Sequence, residues 1–211
     1  MLETAQRIRS IGITGGVATG KSKVARQLFE LLRKTVPAEL FNADFEARRL
    51  TDSDFVVQEE IRVAFGGQVF DSRGNLARDQ LRDLVFRDGA ARKVLESILH
   101  PRIREAWIGR TGGDGLLLAE IPLLYETGAE PYFGRIVVTA CSHASQVERI
   151  VVERRLLKEL AEQIIQAQMD LTEKIGRADW VVWTDCSPGI TAQQVNLISQ
   201  EVIERYGGVR H

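Results

Sequence analysis

The chain has 211 residues, 44% of them hydrophobic and 27% charged, the composition of a globular protein long enough to bury a proper core and to carry insertions on one domain. A formal net charge of −1 argues against a protein built around a broad electrostatic hold on nucleic acid, though local basic clusters for phosphates stay open. The longest apolar runs, such as Leu116–Ala119, fall far short of the roughly 20 residues that span a bilayer.

In chain order, the opening MLETAQRIRS carries Glu3 early and no long apolar stretch, so no signal peptide is expected and the setting reads as cytoplasmic. Arg9–Thr14 is a short strand-like run that ends in a glycine-rich turn. From Lys21 the pattern is helical, with Val24, Leu28, Leu31 and Leu32 on one face, and Pro37 ends that region. Glu39–Ala43 predicts a second strand; Leu116–Ile121, Ile136–Thr139 and Trp180–Trp183 predict three more. Near-continuous apolar strands separated by helices indicate a parallel sheet covered on both faces, an α/β fold. Residues 51–106 show helical patterns broken at Gly66-Gly67 and Asp71–Gly74 and lie between the second and third strands as an insertion. Arg154–Met169 predicts one strongly amphipathic helix, with Leu156, Leu157, Leu160, Ile164 and Ile165 on a packing stripe. Cys141 and Cys186 lack metal-ligand spacing and read as reduced thiols.

The chemistry-bearing motif is Gly15-Gly16-Val17-Ala18-Thr19-Gly20-Lys21-Ser22, a full match to G-x-x-x-x-G-K-[ST] placed between a strand and a helix. Glycines at 15 and 20 permit backbone angles closed to other residues and let peptide N–H groups approach phosphate oxygens. The start of the next helix adds partial positive charge there. Lys21 suits the β- and γ-phosphates of a nucleoside triphosphate, and the Ser22 hydroxyl suits Mg²⁺. Asp44 closes the second strand, and ligands of open α/β sheets sit at the carboxyl ends of strands, so it is expected to face the same crevice. Three roles are open for it: proton acceptor for an attacking hydroxyl, Mg²⁺ holder through water, or cap of the helix starting near Phe45.

Five further blocks carry a resemblance: Ala43-Asp44-x-x-Ala47-Arg48, Leu99-His100-Pro101-x-Ile103-Arg104, Ile121-Pro122-Leu123-Leu124-Tyr125-Glu126, Ala167-Gln168-Met169 and Arg177-Ala178-Asp179. With Gly12–Gly16 leading the loop, they resemble the dephospho-CoA kinase family, in order, over about residues 8–185. The resemblance implies a P-loop NTPase core, three layers α/β/α around a five-stranded parallel sheet, formed by residues 1–50, 107–148 and 178–211. It implies a helical CoA-binding insertion at 51–106 and a mobile lid at 149–177. It implies transfer of the ATP γ-phosphoryl to the 3′-hydroxyl of dephospho-CoA, with Mg²⁺, by a monomer without nucleic-acid or membrane partners. Carried over by motif, Gly15–Ser22 bind ATP and Mg²⁺, Asp44 becomes base or hydroxyl orienter, and His100, Arg104 and Glu126 face the acceptor. Glu120 helps hold the Mg²⁺ hydration shell, and Arg154 is the lid arginine.

Taken without the family, His100-Pro101 reads as a helix-starting turn and Glu126 as a helix cap. Four positions depart from the family pattern: Asn42 stands for a first Asp, Lys23 for a Thr, Thr139 for an Asp, and Glu153 sits where a second lid arginine falls, although Arg149 fits the first. A kinase for another small metabolite or nucleoside monophosphate, and a nucleotide-dependent switch protein, are the alternative readings.

Overall fold

The computed structural model describes residues 9–110 and 115–206; the amino-terminal stretch read for a leader, through residue 8, and the last five residues of the expected core lie outside the described residues. The chain forms two compact units, one made of Met1–Phe41 with Arg110–His211 and the other of Asn42–Gly109.

The first unit is built on five strands: β1 (Ser10–Gly15), β2 (Ala38–Asn42), β3 (Leu116–Glu120), β4 (Arg135–Ala140) and β5 (Trp180–Trp183), in the order β2-β3-β1-β4-β5. β1 runs parallel to both β3 and β4, with Ile13 opposite Glu120 and Gly15 opposite Thr139, and β4 runs parallel to β5. Every residue of β1 and β3 is buried, which is why these segments read as continuous apolar runs instead of alternating ones. On one face Ile11, Ile13, Leu116, Leu118, Val137 and Val182 pack against Val24, Ala25, Leu28 and Leu32 of α1 (Lys21–Leu32). Each large aliphatic side chain buried there contributes about 1.5–3 kcal/mol. On the other face the chain comes so close that a Cβ on Gly12 would meet Leu124 Cδ1 at 2.5 Å. The two polar residues of β1, Ser10 and Thr14, are fully buried and donate to the carbonyls of Tyr132 and Pro122 at 3.1 and 3.0 Å.

The second unit is helical: α2 (Ala43–Ser53), α3 (Phe55–Phe65), α4 (Arg78–Arg87) and α5 (Gly89–Ile108), closed around Leu50, Val57, Ile61, Phe65, Leu81 and Ile98. The break at Gly66-Gly67 is a single 3₁₀ turn over Gly67–Val69. Pro101 lies inside α5, so the reading of His100-Pro101 as a helix start is corrected. Proline removes the N–H that the Ser97 carbonyl would accept. Next to it, Arg102 Nη1 donates to the Ile98 carbonyl at 2.7 Å while Nη2 pairs with Glu60 of α3 at 2.7 Å.

The helix expected over Arg154–Met169 is two helices. α6 (His143–Arg154) ends at Arg155, which takes the left-handed conformation with φ 55°, and α7 (Lys158–Gln166) begins three residues later. Leu156, Ile164 and Ile165 do pack, against Val17, Ile150 and Ala161, but Leu157 is exposed. α8 (Leu171–Gly176) and α9 (Pro188–Tyr206) complete the unit. Cys141 and Cys186 are both free thiols.

Candidate active site

All the paired strands are parallel, so the residues after β1, β3, β4 and β5 gather along one edge of the sheet. The loop Gly15–Ser22 leaves β1 at that edge. Gly15, at φ 149°, approaches β4 so closely that a Cβ would meet the Thr139 carbonyl at 2.3 Å. Gly20, at φ 81°, enters α1 in the left-handed region with no side chain capping the helix. The first amides of α1 therefore point at whatever occupies the loop.

Three consecutive peptides of the loop are set by side chains from distant elements. The Val17 carbonyl accepts from Gln146 Nε2 at 2.8 Å, the Ala18 carbonyl from Arg149 Nη1 at 3.0 Å, and the Thr19 carbonyl from Thr184 Oγ1 at 3.2 Å. In a planar trans peptide the C=O of one residue and the N–H of the next point in opposite directions. These three clamps thus turn the N–H groups of Ala18, Thr19 and Gly20 to the other side, an anion-binding concavity lined by amides. Ala18 sits at φ 58°, a conformation that costs an ordinary residue about 1 kcal/mol and that its clamped neighbours impose. Thr139, the family departure on β4, bonds Thr19 Oγ1 at 2.7 Å, and Thr19 in turn donates to the Gly16 carbonyl at 2.8 Å.

Lys21 Nζ bends back over the loop, 2.7 Å from the Gly16 carbonyl and 3.4 Å from that of Gly15. Beside it the Ser22 hydroxyl donates to Glu120 Oε1 at 2.5 Å. A hydroxyl and a carboxylate in contact, next to an amide concavity, suit Mg²⁺, which binds through one or two protein oxygens together with nucleotide phosphates and water.

Residues 9–188 match the sequence profile of the family described as dephospho-CoA kinase. The chain belongs to the dephospho-CoA kinase family. It is 33% identical over 198 residues to the dephospho-CoA kinase of Synechococcus elongatus, covering 92% of this chain and 93% of that one. To the dephospho-CoA kinase of Fusobacterium nucleatum it is 32% identical over 177 residues, covering 83% and 89% respectively. Among solved structures, TT1252 from Thermus thermophilus superposes with a TM-score of 0.72 at 30% identity, over 91% of this chain and 96% of that one. Membership makes the chain an ATP-dependent kinase, and its phosphate loop is the part of the dephospho-CoA kinase site that the geometry defines most closely.

The other sequence-derived candidates fall into two sets. Lys21, Ser22, Glu120, Glu126 and Arg154 belong to the sheet unit; Asp44, His100 and Arg104 belong to the helical unit. Asp44 is exposed in the first turn of α2 and does not cap it, which corrects one of its three readings: Asn42 is the cap, accepting the Phe45 N–H at 2.7 Å. His100 and Arg104, four residues apart on α5, share a helix face.

Glu126 sits in the loop after β3 and caps no helix. Its Oε1 accepts the Met169 N–H at 3.0 Å and pairs with Lys174 at 2.7 Å. Lys174 of α8 is fully buried, and also approaches the Pro122 carbonyl at 3.5 Å. The neighbouring Tyr125 hydroxyl is buried without a hydrogen-bond partner among the described residues. Burial, joined by the charge of Glu130 and eased by Arg177 stacked on the ring 4.4 Å away, pushes its pKa up to about 12, so it stays a neutral phenol.

Arg154 is exposed at the end of α6, whereas Arg149, five residues earlier, reaches the loop. Its guanidinium also donates to the Thr184 hydroxyl at 3.0 Å and the Thr184 carbonyl at 2.8 Å. Asp185 lies 3.5 Å from Arg149 and accepts the Ser142 N–H at 2.6 Å. Burial works against its ionised form, but hydrogen bonds from Ser142 and Ser145 and the charge of Arg149 outweigh it and hold the carboxyl below its usual range. Gln146 and Thr184 carry no local sequence signal, since each is one polar residue on an ordinary helix or after an ordinary strand.

Proposed function

We propose that this chain completes coenzyme A by moving the γ-phosphoryl group of ATP to the 3′-hydroxyl of dephospho-CoA, with the side-chain roles that follow. The observation that carries the reading is the set of three clamped carbonyls, which commits three successive amides of the loop to one anionic ligand beside Lys21 and the Ser22–Glu120 pair.

Phosphoryl transfer asks a protein for position and charge neutralisation more than for covalent chemistry. The amides of Ala18, Thr19 and Gly20 hold the phosphate chain of the donor. Lys21 swings from the Gly16 carbonyl to the β- and γ-phosphates as they arrive, trading a neutral acceptor for a charged one. Ser22 and Glu120 would hold Mg²⁺, which would supply positive charge to the nucleotide phosphates when bound. Asp44 aligns the 3′-hydroxyl and takes its proton as the new P–O bond forms. His100 and Arg104, from one face of α5, hold the acceptor, and Glu126 contributes through Oε2, since Oε1 is taken by Lys174 and Met169. Arg154 moves onto the developing charge when residues 149–177 close and exclude water. The helical segment 51–106 grips the rest of dephospho-CoA, and the enzyme works as a cytoplasmic monomer.

The test is to incubate the purified protein with ATP, Mg²⁺ and dephospho-CoA and to follow ADP and product mass together. The expected result is coenzyme A in equal amount to ADP, with Lys21→Ala folded and silent. ADP released without coenzyme A, or preferential phosphorylation of a nucleoside monophosphate, would overturn the reading.

A further inference from the structure

One amide of the loop points away from the anion concavity. The Gly16 carbonyl is turned toward Lys21 Nζ and Thr19 Oγ1, at 2.7 and 2.8 Å, so planarity sends the Val17 N–H the other way. There it donates to Gln168 Oε1 at 2.8 Å. Gln168 lies between α7 and α8, in a segment with a second anchor besides the loop: the next residue, Met169, gives its N–H to Glu126, and Lys174 holds the same carboxylate oxygen. With Gln146 on the Val17 carbonyl, Val17 is gripped on both sides by glutamines.

We infer that Gln168 is a positioning residue for phosphoryl transfer: by holding the Val17 N–H it fixes the Gly16–Val17 peptide, and with it the carbonyl on which Lys21 rests. Gly16 has no Cβ to oppose rotation on its side of the peptide, while Val17 is packed against Ile150 and Ala161, so hydrogen bonds and that packing together set the peptide plane. Without Gln168, the Val17 N–H is free to turn toward the phosphates. The Gly16 carbonyl then turns away from Lys21, and the ammonium loses the support from which it reaches the β- and γ-oxygens. In the ground state the added amide and the displaced lysine act on nucleotide binding in opposite directions and largely offset, whereas the transition state loses the lysine as charge develops. The effect therefore falls on kcat and not on nucleotide affinity. This inference rests on the kinase reading given above, and deepens it.

The variants are Gln168→Met, which keeps length and removes the acceptor, and Gln168→Glu, which keeps an acceptor. The expected result for Gln168→Met is a kcat about tenfold lower, the scale of one lost hydrogen bond. Its Kd for ADP should stay within about threefold of the parent, and its Tm should fall by no more than the few degrees one hydrogen bond accounts for. Gln168→Glu should recover part of the lost kcat at saturating ATP. The slow hydrolysis of ATP without acceptor gives a second rate that does not require dephospho-CoA, and it should fall in the same proportion. A parent enzyme that hydrolyses ATP yet leaves dephospho-CoA untouched sinks the substrate assignment and not this one. A Gln168→Met protein with parental rates, one whose loss lies in ADP affinity, or a Glu variant no faster than the Met variant, overturns the role of Gln168.

Discussion

At the scale of single residues, the loop motif was fully legible because its chemistry is local: eight consecutive residues carry it. Its supports were only partly so: Arg149 and Gln168 fall at family positions, but that they, with Gln146 and Thr184, grip the loop depends on the fold, since all four lie more than a hundred residues further along the chain. Asp44 shows the opposite case. Sequence alone left base, metal holder and helix cap open, and the Asn42 cap bond removes the last of these. If Asp44 takes the proton, Asp44→Asn should lower kcat by about a hundredfold or more, with ATP affinity preserved, in steady-state assays. Near-parental turnover would exclude it as the base. Tyr125 supports a prediction of the other sign. Its buried hydroxyl has no partner among the described residues, so Tyr125→Phe removes a desolvation cost and should leave stability unchanged or raise it by up to about 1 kcal/mol in urea unfolding.

At the scale of elements, strands were readable because parallel strands buried on both faces leave continuous apolar runs. Helix ends were less so. The segment from Arg154 kept helical periodicity across a break for which no glycine, proline or asparagine gave warning; the left-handed residue is Arg155 itself. Pro101 misled in the other direction, toward a boundary that α5 passes through while Arg102 donates to the nearby Ile98 carbonyl. Asn42→Ala tests the β2–α2 junction. Losing the cap should cost about 1 kcal/mol and lower Tm by a few degrees, with a larger fall in kcat if Asp44, two residues on, shifts with the helix start.

Asp185 links β5 to α6 and gives a pH prediction. Its folded-state pKa is depressed, so its contribution to stability is fully present above the ordinary carboxylate range and is lost as pH falls through the lower folded value. Asp185→Asn should therefore reduce stability at neutral pH and show a shallower further loss than the parent on acidification, read by circular dichroism. Parallel acid limbs would contradict that.

At the scale of the whole molecule, fold class and family were legible from the motif and the block order, while the strand order β2-β3-β1-β4-β5 was not, since pairing depends on long-range packing. The chain divides at Asn42 and Gly109 into a sheet unit with the phosphate loop and a helical unit with Asp44, His100 and Arg104. Catalysis as proposed requires groups from both units to act on one phosphorus atom. The most direct measurement is a crystal structure of the protein with a non-hydrolysable ATP analogue, Mg²⁺ and dephospho-CoA. The account predicts an Asp44 carboxylate oxygen about 3 Å from the ribose 3′-oxygen, itself in line with the γ-phosphorus. A bound acceptor whose 3′-oxygen lies against another residue, with Asp44 turned to solvent, would contradict it.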